Sequence, residues 1–511
     1  MWHLLERCIL RRSRDRRMDA RRRFAGVGAA CVLVCFFSAC GGSPLSLGSP
    51  APPISVSVSP AIAAVQTGST ALLTATVSND PGYRGVTWTV SCAATLCGSI
   101  TPVTTPSGAS ATYTAPATMP SSANITVTAT AVADQAKASS ATLIPVGHIP
   151  GYDVGVDYHA YGLDIDQTGF VAIYDQPQVR QTVQTQLQGM ADRGATSIQT
   201  GIWVAKGSGS YCCSTAQVTF PMTSQEQANL RAYAQDLAST VGAGGNRLRL
   251  DIALEWLGAA DFTIGSPTTT LGTANLSPVE FTSRVQATTD RVLAAVGDVT
   301  RPDGVKVVET IFLVSEVALP DAATPPGPVT NNGWFLTTNY SHFVSGALQA
   351  GIRPSVYFNA ADGCTQDVVL DDGYVDGSFP ILNGHRSMFQ MYRGLKFMVD
   401  NGLPIPSGRI DFDCYINSTG ATYDQLLQRI LDDADATLPS LGAPQVYDIP
   451  ETYYFADPTH RLQYGQAFAA QAAQHPRLQR VSFWTTPDGG GSGQSAAYPF
   501  TIEDFLPPPP P

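Results

Sequence analysis

The stretch APQVYDIPETYYF, Ala443 to Phe455, decides how this chain is read. It leaves a turn at Leu441-Gly442-Ala443-Pro444 and runs through apolar, β-prone residues. It ends on Glu451, followed at once by Thr452, Tyr453, Tyr454 and Phe455. In a β/α barrel, a charged residue at the C-terminal tip of a strand stands at the mouth, where chemistry is done. KVVETIFLVSEVALPD, Lys306 to Asp321, has the same form and ends its apolar run on Glu316. Two carboxylates on separate strand ends, among aromatics, are the groups that hydrolysis of a glycosidic bond uses.

Strands and helices alternate from Gly151 onward. Eight segments read as strands: GYDVGVDYHAYG, ATSIQTGIWV, RLRLDIALEWLG, VKVVETIFLVSE, IRPSVYFNA, RIDFDCYIN, APQVYDIPE and QRVSFWTTP. Seven helical segments lie between them. One puts Val179, Val183, Leu187 and Met190 on a single face. Three open on capping boxes, Thr223 with Glu226, Ser277 with Glu280, and Thr422 with Gln425, and another opens on Asp457-Pro458. Repeated strand–helix units close most economically as a (β/α)8 barrel. An open doubly wound sheet is the structural rival, but nothing like GxGxxG follows the first strand.

In a barrel the C-terminal strand ends converge on one pocket. Here they supply Asp157 and His159, Trp203, Glu255 and Trp256, Glu316, Tyr357 and Asn359, Tyr415, Glu451, and Trp484. Aromatic faces stack on the C–H side of sugars, while amides and carboxylates bond the hydroxyls. On these residues the segment 150–505 resembles the clan of retaining (β/α)8 glycosidases. That clan carries an acid/base Glu on strand four, a nucleophile Glu on strand seven and a Trp on strand eight. The resemblance implies Glu316 as acid/base and Glu451 as nucleophile, with Trp484 on strand eight and Tyr415 near the nucleophile. It is a likeness of placement, not of extended identity. Ser315 stands where the clan has Asn, and the arginine of strand two is not evident. A strand-end Glu can also be a solvated loop carboxylate, and Glu255 is a second candidate acid or a substrate ligand. Glu309 lies too deep for the mouth, and simple alternation turns Asp448 to the face opposite Glu451. The seven histidines are scattered, so no metal or other cofactor is implied.

Ahead of the barrel, ISVSVSP, ALLTATVS, GVTWTVSC, ATYTAP, NITVTATAV and SATLIPV alternate with period two between turn-rich pieces, the pattern of a β-sandwich. Residues 54–147 resemble the bacterial Ig-like domains of surface proteins, especially in VSVSPAIAAVQTGSTALLTATVSN and GVTWTVS. The expected architecture is therefore multidomain. A leader (1–40) and a linker (41–53) precede an all-β Ig-like sandwich, and a barrel (148–505) is followed by a proline-rich tail (506–511).

The leader reads as an address. A basic run, RRSRDRRMDARRRF, precedes the apolar AGVGAACVLVCFF, too short to span a membrane comfortably. FSAC, Phe37 to Cys40, resembles the lipobox of bacterial lipoproteins, which implies acylation of Cys40 and a place in the cell envelope. A plain secretory signal remains the other reading, and either Met1 or Met18 can be the start. Export makes the cysteines informative. Cys92 and Cys97 are the expected local pair, while the pairing of Cys212, Cys213, Cys364 and Cys414 stays open. Beyond residue 40 the chain has 21 basic and 38 acidic residues. That balance argues against nucleic acid or an anionic surface as partner and fits neutral polysaccharide. Membrane contact is expected through the lipid anchor alone, and the protein is expected to be a monomer. Two functions follow, a retaining glycoside hydrolase or a polysaccharide-binding lipoprotein whose barrel serves as a receptor. Sugar, linkage and endo or exo action are not written in the residues.

Overall fold

The computed structural model describes residues 52–93, 96–118, 124–158, 169–204, 218–256, 278–314, 331–358, 389–406, 408–412, 414, 423–444, 446–452, 460–485 and 500–509. The N-terminal strands are β1 (Ser55–Ser59), β2 (Ile62–Gln66), β3 (Thr70–Ser78), β4 (Val86–Cys92), β5 (Ser99–Thr101), β6 (Thr104–Thr105), β7 (Ser110–Thr114), β8 (Ile125–Ala131) and β9 (Ala138–Val146). They form two sheets, ordered β1-β3-β7-β5 and β2-β9-β8-β4-β6. Alternation builds the core between them: in β8, Ile125, Val127, Ala129 and Ala131 are buried while the threonines between them are half-buried. Leu73, Trp88, Tyr113 and Leu143 complete that core. Cys92 and Cys97 form the expected disulfide.

β2 escaped the period-two reading because Ala63, Ala64 and Val65 are buried in succession. The structure supplies the reason. Ala63 and Val65 enter the sandwich core, while the Ala64 side chain faces Gly194 of the following domain. A strand covered on both faces shows no alternation.

The second domain has parallel strands β10 (Asp153–Asp157), β11 (Ser197–Val204), β12 (Arg249–Trp256), β13 (Val308–Phe312), β14 (Arg353–Ser355), β15 (Tyr357–Phe358), β16 (Ile410–Phe412), β17 (Tyr447–Thr452) and β18 (Leu478–Trp484). Their order is β14-β13-β12-β11-β10-β18-β17-β16-β15. β14 and β15 are the two halves of one strand, interrupted at Val356. The first half pairs with β13 and the second with β16. The sheet thereby closes on itself as an eight-stranded parallel barrel. Helices follow every strand: α1 (Pro177–Asp192), α2 (Ser224–Ser239), α3 (Pro278–Val296), α4 (Asn331–Gln349), α5 (Phe389–Asp400), α6 (Tyr423–Thr437), α7 (Arg461–Gln474) and the short α8 (Ile502–Phe505). This is the (β/α)8 fold, with all eight expected strands in place. Val179, Val183, Leu187 and Met190 of α1 are buried together, and the Thr223–Glu226 capping box opens α2. The boxes expected at Ser277 and Thr422, and the Asp457-Pro458 start, fall outside the described residues.

The sandwich docks on the barrel's floor, the end opposite the mouth. Its contacts are with loops that lead into strands. Leu72 N donates to Ala243 O at 3.1 Å, and Ala243, ahead of β12, packs on the sandwich core. Gly194, ahead of β11, meets Ala64. Gly147, between the domains, donates to Pro507 O at 2.7 Å, so residues beyond α8 bind the junction. The chain reaches the sandwich at its other end, where Ser55 pairs with Ser78 and Pro53 O accepts from Asn79. Among the described residues, no helix is long and apolar enough to cross a membrane.

Candidate active site

Side chains on alternate residues of each barrel strand face either the helices or the interior, and the outward set fixes which is which. Tyr158 OH bonds Gln186 on α1, so Asp157 faces inward. Thr200 bonds Tyr233 on α2, so Gln199 faces inward. Phe483 stacks on Phe505 of α8 with centroids 4.0 Å apart, which turns Trp484 inward. Thr452 bonds Tyr464 OH on α7 at 2.6 Å, which turns Glu451 inward. Asp157, Glu451 and Trp484 are 4%, 5% and 5% exposed. Asp157 is the register partner of Trp484 on one side and of Gln199 on the other. Glu451 lies one strand beyond Trp484.

Asp448 was placed opposite Glu451 by alternation, yet both face the interior. Between Ile449 and Thr452 the pairing with β18 shifts: Asp448 pairs with Arg480 but Thr452 with Phe483, four residues against three. This β-bulge spends one residue without a partner and restores Glu451 to the inner face. Pro450, which has no N–H to lose from the ladder, sits inside it. Two hydrogen bonds pin the neighbouring backbone: Cys414 N donates to Glu451 O at 3.0 Å, and Thr452 Oγ1 donates to Cys414 O at 2.5 Å. Cys414 is itself disulfide-bonded, and its partner lies outside the described residues.

Below these residues the barrel is filled by charge. Arg480 binds Asp251 and, at 2.6 Å, Glu309. Arg249 binds Asp153 and, at 2.9 Å, Glu309. Arg409 reaches Glu309 and Asp448, each at 3.0 Å. Arg353 binds Asp411 at 2.8 Å, and Ser355 donates to the same carboxylate. Burial raises the pKa values of Asp251 and Asp411 despite their arginines. Glu309 goes the other way: burial opposes its charge, but Arg480, Arg249 and Arg409 together hold it down to about 2. Glu309 thus belongs to the floor, as its depth in the strand implied. Between floor and mouth Ala253 and Phe312 form a small apolar contact. The arginine network was missed, although its signal is in the sequence. Arg249-x-Asp251, Arg353-x-Ser355, Arg409-x-Asp411 and Arg480-x-Ser482 each put polar groups on the inward face of a strand.

Of the other expected site residues, Trp203, Glu255 and Trp256 occupy the ends of β11 and β12, where Trp203 pairs with Glu255. Tyr357 opens β15. His159, Ser315, Glu316, Asn359, Tyr415 and Cys40 lie outside the described residues, so the Glu316–Glu451 separation does too. Among the described residues no cluster of three His, Cys, Asp or Glu is arranged to hold a metal ion.

No family model and no curated protein matches the sequence. Among solved structures, the chain is similar to a Bacteroides ovatus GH5 xyloglucanase in complex with a XXXG heptasaccharide. That match has 11% identity and a TM-score of 0.34, covering 89% of this chain and 97% of that one. It is similar to a GH26 β-mannanase from Bacteroides ovatus, with 12% identity and a TM-score of 0.35 over 70% and 87% of the two chains. A GH5 lichenase from Caldicellulosiruptor sp. F32 matches at 10% identity and a TM-score of 0.36 over 69% and 92%. Likeness at this level lends the chain neither a site nor a substrate.

Proposed function

We propose that the protein is a retaining glycoside hydrolase acting on a poly- or oligosaccharide. The observation that carries this reading is Glu451, a carboxylate on strand seven that a β-bulge aims into the barrel, near Asp157 and Trp484. Were the same residues paired without a bulge, it would face the helices. The Glu451 carboxylate attacks the anomeric carbon and forms a glycosyl ester as the C–O bond to the leaving group breaks. Glu316 gives that oxygen its proton, then takes one from the water that cleaves the ester. For this chemistry the two carboxyl carbons belong about 5–5.5 Å apart. Trp484 and Asp157 would hold the sugar, one by its face and the other by a hydroxyl.

Lipidation at Cys40 and a place in the cell envelope belong to the same proposal, with the Ig-like sandwich as spacer. The in-line order of chain start, sandwich, barrel floor and mouth supports it, because the mouth then points away from the membrane. β3 alone, at nine residues, spans roughly 30 Å.

The test is a screen of aryl glycosides and polysaccharides, followed by two variants. Glu451→Ala should lose turnover on every substrate. Glu316→Ala should still react with good leaving groups and then stall as the ester. Azide should rescue Glu316→Ala with retained product and Glu451→Ala with inverted product. Undiminished activity in both variants would refute the assignment, and binding across the screen without turnover would establish the receptor function instead.

A further inference from the structure

Among the described residues, the buried Ser197 Oγ, Gln199 Oε1, Asp448 Oδ1 and Arg480 Nε inside the barrel have no hydrogen-bond partner. Their residues are at most 2% exposed. They stand on the inner faces of β11, β18 and β17, to either side of β10 and its Gly155. Gly155 on β10 is in register with Ser197 on one side and Ser482 on the other. A Cβ at 155 would lie 2.4 Å from each serine Oγ, so glycine lets both hydroxyls turn in over the strand. Gln199 is two residues beyond Ser197 on the same face. Arg480 is two before Ser482 and pairs in register with Asp448.

Native interiors leave few such groups unmet, and where protein does not satisfy them, ordered water does. We infer that this cluster is a binding site for water, with at least one long-lived molecule held over Gly155 by Ser197, Ser482 and their charged neighbours. The mixture of groups selects the ligand. Arg480 Nε–H needs an acceptor, which a metal cation cannot be. Asp448 Oδ1 and Gln199 Oε1 need donors, which a halide cannot be. Water donates and accepts, and the serines can turn to either role. The site ties the charged floor, through Asp448 and Arg480, to Gln199, the register partner of Asp157 at the mouth. It stands whether or not the mouth cleaves a sugar.

A high-resolution crystal structure of the full chain, soaked in parallel in rubidium and in bromide, tests this. The expected result is a water oxygen within hydrogen-bond distance of Ser197 Oγ and Arg480 Nε, without anomalous scattering from either ion. An anomalous peak there would overturn the inference, and so would all four atoms bonding protein with no density between them. In solution, oxygen-17 relaxation dispersion should detect an internal water that the Ser197→Ala/Ser482→Ala variant loses. Equal dispersion from the two folded proteins would also contradict it.

Discussion

Among the described arginines of the barrel floor, Arg480 is the most deeply buried. It is 2% exposed and bonds Asp251 and Glu309 on two other strands. Removing one member of a buried ion pair strands the rest, at about 3–5 kcal/mol. Arg480→Met should therefore lower unfolding stability by that order in a urea titration, although the replacement is apolar and similar in length. Glu309 gives the network a pH signature. Its folded pKa is depressed to about 2 from 4.5. Its contribution is thus complete above pH 4.5 and is lost as pH falls through about 2, at roughly 3 kcal/mol in full. Melting wild type and Glu309→Gln side by side should show a gap at pH 6 that closes on acidification; a gap that stays constant from pH 6 to 2 would contradict the pairing. At this scale the sequence was half legible. Glu451, Asp157 and Trp484 could be picked out as strand-end residues. The floor arginines were passed over, although Arg-x-Asp and Arg-x-Ser mark them, because a strand that mixes polar and apolar residues was read for its apolar half.

Eight strand positions were readable as apolar runs bounded by turns, and they hold. What the pattern could not carry was the bulge in β17, because an inserted residue leaves no mark on composition and reverses every alternation argument after it. Deleting Pro450 tests its role. With the extra residue gone, β17 should pair regularly, and Glu451, now next to the outward Ile449, should stand opposite Ser482 and still face inward, in a folded barrel with activity far above that of Glu451→Ala. A folded deletion variant as inactive as Glu451→Ala would show that more than the residue count of β17 aims the carboxylate. The adjoining strand is held by the Cys414 disulfide. Cys414→Ala should lower stability under oxidising conditions by about 2–4 kcal/mol, with little difference from wild type once both are reduced.

For the whole molecule, the sandwich and the barrel keep separate cores, and they meet through the Ala64, Leu72, Ala243 and Gly194 contacts at the barrel floor. Residues 148–511 expressed alone should therefore fold cooperatively with a somewhat lower midpoint; a fragment that fails to fold while the full chain succeeds would mean a shared core. The expected boundary rests on the composition break near Pro145 to Gly151, while the docking face leaves no such mark, since it joins residues distant in sequence. At the mouth, a nucleophilic Glu451 can be trapped covalently. The full chain is incubated with a 2-deoxy-2-fluoro glycoside of whichever sugar the screen identifies, and the intact mass is read before and after proteolysis. One added fluoroglycosyl unit is expected, carried by the peptide that contains Glu451. A label on a peptide holding Glu255 or Glu316, or steady hydrolysis with inverted product and no label, would contradict it.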